Sequence, residues 1–314
     1  MSKTESTRIA VCTITYRRLE GLRRLIDGLN ALTFRESELP SLEIVVVDND
    51  PAGLACKLCE RVRSELRWPL RCVMEPQRGF SYARNKAVTC AVDSADFVAF
   101  IDDDEVPEPT WLDELLHAQR LYDADAVAGR VLPHFDEPVP SWVEKGDFFG
   151  NGQHPTGYPL EYAHTNNVLV RSEVFENMRP IFDERFNLSG GEDTHFFMRA
   201  HREGYKIVWA DEAVVHEWIP KARANIKWLV RRSYNDGINY STCLFDLDSS
   251  WAAWTGRVAK AGARIVQGLL LLPVSVAMGR YLSVRALQYI GLGLGGLAGA
   301  AGANDETYRR TGNV

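Results

Sequence analysis

The sequence predicts an α/β fold: a mostly parallel sheet flanked by helices, with a helical appendage at the C-terminal end. Three observations carry this. Strand-like and helix-like patterns alternate through the first half of the 314 residues. The uncharged run Phe97-Val98-Ala99-Phe100-Ile101 stops at Asp102-Asp103-Asp104, as a buried strand does when it ends at a ligand crevice. Beyond Ile219 the chain becomes basic and then apolar.

Residues 9–15 read as the first strand, followed by a helical stripe of Leu19, Leu22, Leu25, Ile26 and Leu29. Residues 42–47 form a second strand running into Asp48-Asn49-Asp50-Pro51-Ala52-Gly53, residue types that favour a turn. A helix over 54–66 and a strand over 70–74 follow, then Gly79 opens a loop into a helix over 81–92. Pro109 suits the first turn of a helix reaching Tyr122, and 126–132 is another strand. Such alternation implies parallel strands with helices on both faces. From Pro138 to Pro159, prolines and glycines break up an aromatic-rich stretch that reads as a long functional loop. Next come a strand over 167–170, a serine-capped helix from Ser172, and a helical run over 194–203. Two short strands, 205–209 and 213–216, close this part.

Charge divides the chain. The formal net charge is −6, yet from Ile219 onward 12 Lys/Arg face 5 Asp/Glu. The acidic body argues against nucleic acid as a partner, and the basic tail favours an anionic membrane surface. Residues 265–279 and 286–304 are uncharged, but the first is short and holds Pro273 while the second is rich in glycine. A hairpin lying on the membrane fits these better than two spans, and a helical subdomain packed on the body is the alternative. Residues 1–8 are polar and do not read as a signal peptide. Cys12, Cys72 and Cys90 lie in apolar runs and read as buried thiols. Cys56 and Cys59 have the spacing of a metal knuckle, but no second pair completes it, and a reducing compartment fits.

Three adjacent carboxylates repel one another, so a fold that gathers them at a strand end fits a cation, and hard cations prefer such oxygens. A nucleotidyltransferase or metal phosphohydrolase could use the same cluster. Either would be expected to add a phosphate-cradling glycine loop with lysine, or a multi-histidine set, and neither is evident. A non-catalytic scaffold of a polysaccharide assembly complex is the other alternative.

The order of Thr13-Ile14-Thr15-Tyr16-Arg17-Arg18, Val47-Asp48-Asn49-Asp50, Gly79-Phe80-Ser81-Tyr82-Ala83-Arg84-Asn85, the aspartate triplet, Gly191-Glu192-Asp193 and Trp209 to His216 resembles family 2 glycosyltransferases of the GT-A, Rossmann-like fold. Within these it is most similar to exopolysaccharide, succinoglycan-type glucosyltransferases. The resemblance covers residues 8–218. It implies a catalytic domain over 1–218, with a nucleotide-binding half 1–133 and an acceptor-binding half 134–218. Residues 219–314 add little to the resemblance, and their basic and apolar character makes them a region read as membrane-associated.

By the resemblance, Thr13, Tyr16, Arg17 and Asp48 surround the nucleobase, and Arg84 contacts base or phosphate unless it is a surface helix charge. Asp102 contacts the ribose side, Asp103 turns into the sheet or assists, and Asp104 ligates Mn²⁺ or Mg²⁺. His216 is a second metal ligand, although an isolated histidine is as readily a structural hydrogen-bonder. Asp193 is the base of an inverting transfer and Glu192 positions a hydroxyl; without the resemblance, both would complement a helix dipole. Trp142, Phe148, Phe149, Tyr158 and Tyr162 are sugar-stacking walls or core, and His164 to Asn167 line the acceptor side. The implied partners are a UDP-sugar donor, a polyprenyl-diphosphate-linked saccharide acceptor and the cytoplasmic face of the inner membrane.

Overall fold

The computed structural model describes residues 6–303. Its centre is an eight-stranded sheet, in spatial order β3-β2-β1-β4-β7-β6-β8-β5. The strands are β1 (Arg8–Thr15), β2 (Ser41–Asp48), β3 (Leu70–Met74), β4 (Phe97–Ile101), β5 (Glu105–Pro107), β6 (Ala126–His134), β7 (Asn167–Arg171) and β8 (Ile207–Trp218). Strands β3, β2, β1 and β4 run parallel, joined by α1 (Leu19–Asn30), α2 (Leu54–Val62) and α3 (Phe80–Ala91). The far side is mixed: β7 is antiparallel to both β4 and β6, and β5 is antiparallel to β8. The sheet is therefore less parallel than expected, because β7 follows a long irregular connection instead of a crossover helix.

Alternation along the strands builds two cores. Ile9, Val11, Ile44 and Val46 face α1, α2 and α4 (Trp111–Tyr122). Ala10, Cys12, Val45 and Val47 face the other way, toward α3, α6 (Ser172–Asn177) and α7 (Glu192–Arg202). There Phe100, Phe175, Phe182 and Phe196 pack ring against ring. The two short strands expected near the end of this domain are one strand, β8. Gly129 pairs with Ala210 and Arg130 with Val214, so Asp211, Glu212 and Ala213 bulge out. A disulfide joins Cys56 on α2 to Cys72 on β3, in place of the expected buried thiol at Cys72, because α2 lies over β3 with the two Cα atoms 5.3 Å apart.

Three helices follow: α8 (Ile226–Leu247), α9 (Trp251–Met278) and α10 (Arg280–Ala300). The apolar hairpin is longer than expected, with α9 starting 14 residues before Ile265; Asn304 lies outside the described residues. α10 packs closely on both other helices. A Cβ on Gly291 would meet the Val230 carbonyl at 3.0 Å, and one on Gly268 the Ala286 carbonyl at 2.5 Å. Small residues that let helix backbones touch are typical of packing without a water-driven force. Trp142, Phe148 and Phe149, offered above as sugar walls, lie in the seam under these helices. The cause is α5 (Ser141–Gly146), which packs on α10 and whose Gly146 carbonyl accepts a bond from Arg285. The outer face of α9 exposes Val266, Leu269, Leu270, Val274, Val276 and Met278. By length and composition α9 could cross a membrane.

Candidate active site

The C-terminal ends of β1 and β4, with the loop after β2 and the start of α3, wall a cleft. Ile14, Thr15, Tyr16, Arg18, Asn49, Arg78, Gly79, Phe80, Arg84, Asp102, Asp103, Asn187 and Leu188 line it. Tyr16 lies between two guanidinium groups, Arg17 at 5.0 Å and Arg78 at 4.8 Å from its ring centroid. Arg17 is anchored by Asp50, its Nε donating to Oδ2 at 2.9 Å. Asn49 ties the wall together, donating to the Glu75 and Gln77 carbonyls and accepting the Gly79 amide.

Two residues expected beside the base are placed elsewhere. Thr13 shares the inward face of β1 with Ile9 and Val11 and is sealed from solvent. Both oxygens of Asp48 are committed to backbone amides: Oδ2 accepts from Ala55 and Cys56 at the start of α2, and Oδ1 from Asp50. Asp48 thus holds the entry to α2 and leaves the cleft to its neighbours.

At the floor of the cleft the aspartates divide. Asp103 turns into the sheet, where its Oδ2 accepts the Thr15 hydroxyl at 2.7 Å and its Oδ1 accepts Arg18 at 3.0 Å. Arg18 also donates to Asp104 Oδ2 at 2.8 Å, and Arg223 lies 3.6 Å from that oxygen. Asp102 remains open to the cleft, 3.5 Å from Arg84. Behind them Glu105 is buried, accepting the Asp102 amide at 3.0 Å and the Asn166 side chain at 3.1 Å. Glu217 on β8 pairs with Arg223 at 3.3 Å.

Burial, reinforced by the neighbouring carboxylates, pushes Asp103 up to about 7 and Glu217 up to about 7, and raises Asp102 and Glu105 as well. This pocket holds more negative charge than its arginines neutralise, which an added cation would relieve. Asp102 and Asp104 offer the hard oxygen donors a divalent metal takes. His216 does not join them: its Nε2 meets Glu108 at 3.1 Å. Successive strand residues point to opposite faces, so the residue turned toward Asp104 is Glu217. Among the described residues no group of three or more His, Cys, Asp or Glu side chains is placed to hold a metal alone. Remaining ligands would have to come from water or a bound substrate.

Across the cleft, Gly190 and Gly191, at φ 80° and 91°, make the turn that delivers Glu192 and Asp193 to the first turn of α7. Asn239 of α8 donates to the Ser189 carbonyl at 3.0 Å, and a Cβ on Gly191 would lie 3.2 Å from Asn239 Cβ, so α8 braces this turn. Glu192 is 2% exposed and pairs with Arg84, while its Oε2 has no partner among the described residues. Arg84 is therefore buried between Asp102 and Glu192, and is no surface charge. Asp193 accepts the Thr194 amide at 2.6 Å and the Thr165 amide at 3.3 Å. Burial pulls its carboxyl up, but the His164 ion pair at 3.5 Å, with Arg84, outweighs this and holds Asp193 well below the usual carboxylate range.

Glu105 and Glu217 carry no signal in the sequence, and Arg223, which reads as one of the tail's basic residues facing a membrane, is turned instead to Asp104 and Glu217. Glu217 adjoins a motif residue, and only the bulge in β8 shows which of the two neighbours faces the acid cluster.

A strand-end cleft with an acid cluster on one side and a Gly-Gly-Glu-Asp turn on the other defines a GT-A type of transferase site. The comparisons agree. The chain belongs to glycosyl transferase family 2, whose pattern matches residues 10–179. It is 33% identical over 308 residues to the succinoglycan biosynthesis protein ExoM of Rhizobium meliloti (strain 1021), covering 94% of each chain. It is 27% identical over 261 residues to the glucosyl-dolichyl phosphate glucuronosyltransferase of Haloferax volcanii, covering 76% of this chain and 77% of that one. Among solved structures, the mannosyltransferase PcManGT from Pyrobaculum calidifontis, in complex with GDP-Man and Mn²⁺, shares the fold with a TM-score of 0.60. That match has 18% identity and covers 94% of this chain and 88% of that one.

Proposed function

We propose that this glycosyltransferase is an inverting, metal-dependent hexosyltransferase. It moves a hexose, read as glucose, from a UDP-sugar to a polyprenyl-diphosphate-linked saccharide during exopolysaccharide or cell-surface glycan synthesis. One observation carries this reading: Arg84 joins the open aspartate of the acid cluster to the Glu192-Asp193 turn, so donor and acceptor sides meet across a single side chain. Tyr16 and Arg17, with Arg78, offer a stacking and polar wall to the nucleobase. Asp193 takes the acceptor hydroxyl proton as that oxygen bonds to the anomeric carbon, and the bond to the diphosphate breaks with its electron pair leaving on phosphate. Mn²⁺ or Mg²⁺ held by Asp104, with Asp102 beside it, would neutralise that departing charge. Residues 1–133 then serve the donor and 134–218 the acceptor.

The region 219–314 is read as resting on the cytoplasmic face of the inner membrane. The apolar outer face of α9 and the exposed Lys227, Arg231, Lys260 and Arg264 support this reading. Full-length protein that stays soluble without detergent and does not float with anionic vesicles would remove it. The donor is tested by thermal shift and hydrolysis across UDP-, GDP- and dTDP-hexoses, with and without Mn²⁺. The expected result is Mn²⁺-dependent stabilisation by a UDP-hexose, with hydrolysis lost in Asp193→Asn. Stabilisation by GDP-sugars alone would overturn the UDP assignment.

A further inference from the structure

The groups around Asp193 include one whose position the transfer reaction does not by itself require. His164 lies on the connection before β7, its Nδ1 3.5 Å from Asp193 Oδ2 and 3.4 Å from the Thr194 hydroxyl. Half of its side chain is open to solvent, and the edge of its ring meets Tyr162 at 5.5 Å between centroids. Tyr162 in turn approaches Tyr240 of α8 at 6.1 Å. One and two turns before Tyr240, Asp236 and Arg232 bring a negative and a positive charge to bear on His164. The imidazole is thus the meeting point of the connection before β7, the α7 turn and α8.

We propose that His164 is a positioning residue for the candidate base. As an imidazolium it fixes the Oδ2 edge of Asp193 toward the cleft and keeps that carboxylate ionised until an acceptor hydroxyl arrives. This rests on the reading of Asp193 as the base. The anchors on Asp193 are unequal: Oδ1 is held tightly at 2.6 Å by its own helix, whereas Oδ2 has only the longer contacts to the Thr165 amide and to His164. Oδ1 also accepts the Thr194 hydroxyl at 3.3 Å, so Oδ2 is the more loosely held oxygen and the one that can exchange a contact for a proton. Without His164 the carboxylate would be aligned there by a single 3.3 Å bond.

The charges facing the pair support the arrangement. On His164, the part of the ring shielded from water favours the neutral form, but Asp193 and Asp236 outweigh this and Arg232, and the ring holds its proton above the ordinary imidazole range. On Asp193, the opposing groups are His164 and Arg84, with the Thr194 amide beside them. The signs follow: the paired, active form persists below the raised His164 value and is lost as pH rises through it. It is also lost in acid, when Asp193 takes a proton.

Two measurements test this on the full-length protein. NMR titration of ring-labelled histidine, with His164 assigned through His164→Gln, is expected to show a midpoint above about 6.5, the unperturbed value. That midpoint should fall in Asp193→Asn. The second measurement is the pH profile of hydrolysis of UDP-glucose, or of whichever nucleotide hexose the thermal-shift series selects. His164→Asn, whose Nδ2 stands where Nδ1 does, keeps a donor to Oδ2 without a titrating charge. It should retain the donor KM, lower kcat by about tenfold, and abolish the alkaline fall of the profile. His164→Ala should lose more, so that Asn counts as partial rescue. A His164 midpoint indifferent to Asp193→Asn overturns the proposal. So does a His164→Ala enzyme with the wild-type kcat and pH profile while Asp193→Asn is inactive. Hydrolysis surviving in Asp193→Asn would instead remove Asp193 as the base, and the NMR result would then show whether the pair exists at all.

Discussion

Replacing Arg84 by methionine removes the charge that joins the two halves of the cleft while keeping an apolar stem beside the Phe80 ring. The side chain of Arg84 is 8% exposed and that of Glu192 2%, so the substitution strands a buried carboxylate whose second oxygen already lacks a partner. Breaking such a pair from one side costs about 3–5 kcal/mol. With a urea m-value of about 3 kcal/mol/M, the unfolding midpoint should fall by about 1–1.7 M. The double variant Arg84→Met/Glu192→Leu leaves no buried charge and should recover most of that loss, because desolvation of the pair offsets much of its attraction. It should nevertheless remain inactive in nucleotide-sugar hydrolysis. Urea titrations followed by fluorescence, run beside the hydrolysis assay, decide the matter. A single variant within about 0.3 M of the wild-type midpoint, or a double variant no more stable than the single one, would refute the reasoning.

Other expectations follow from the same geometry. By calorimetry, His216→Ala should leave Mn²⁺-dependent UDP binding unchanged, whereas Glu217→Gln, altering the carboxylate turned toward Asp104, should weaken it by roughly tenfold. Asp48→Ala removes the acceptor of three backbone amides and should cost about 1–2 kcal/mol of stability in thermal unfolding. Gly295→Leu pushes a side chain into the Tyr234 backbone and should cost about 1–3 kcal/mol, with limited proteolysis showing α10 released first. Asp246 is held below the usual carboxylate range by Arg185 and then His195, so its contribution is present near neutrality and lost as pH falls through its folded value. Asp246→Asn should therefore flatten the acid limb of a Tm-against-pH curve.

The first four strands and their helices were legible because hydrophobic period and turn residues agree there. Residues 42–47 alternate onto two covered faces, and Gly79 and Pro109 mark real helix starts. The site was legible where a motif lies at a strand end, as with Asp102 to Asp104, or at a glycine turn, as with Glu192 and Asp193. It failed where a side chain's direction depends on something non-local. The bulge at Asp211 to Ala213 resets the alternation of β8, so no count along the sequence shows whether His216 or Glu217 faces the acid cluster. Asp48 reads as a ligand or a turn residue until the start of α2 is seen against it. Cys72 reads as a buried thiol because nothing in a linear chain brings Cys56 beside it. The length of α9 was missed because Arg257, Lys260 and Arg264 interrupt the apolar signal without interrupting the helix.

The bracing of the Gly190-Gly191 turn by α8, and of α8 by the glycine face of α10, has a consequence for how the protein is made. At about 5–20 residues per second, a ribosome completes the sheet and both halves of the cleft well before it emits α10. During that interval α8 has no partner for Gly237, whose place against the Leu292 backbone is still unsynthesised. The turn carrying Glu192 and Asp193 is then only half supported. Until then the turn is braced by a helix that is itself unpacked, and α10 is the strut that completes the support.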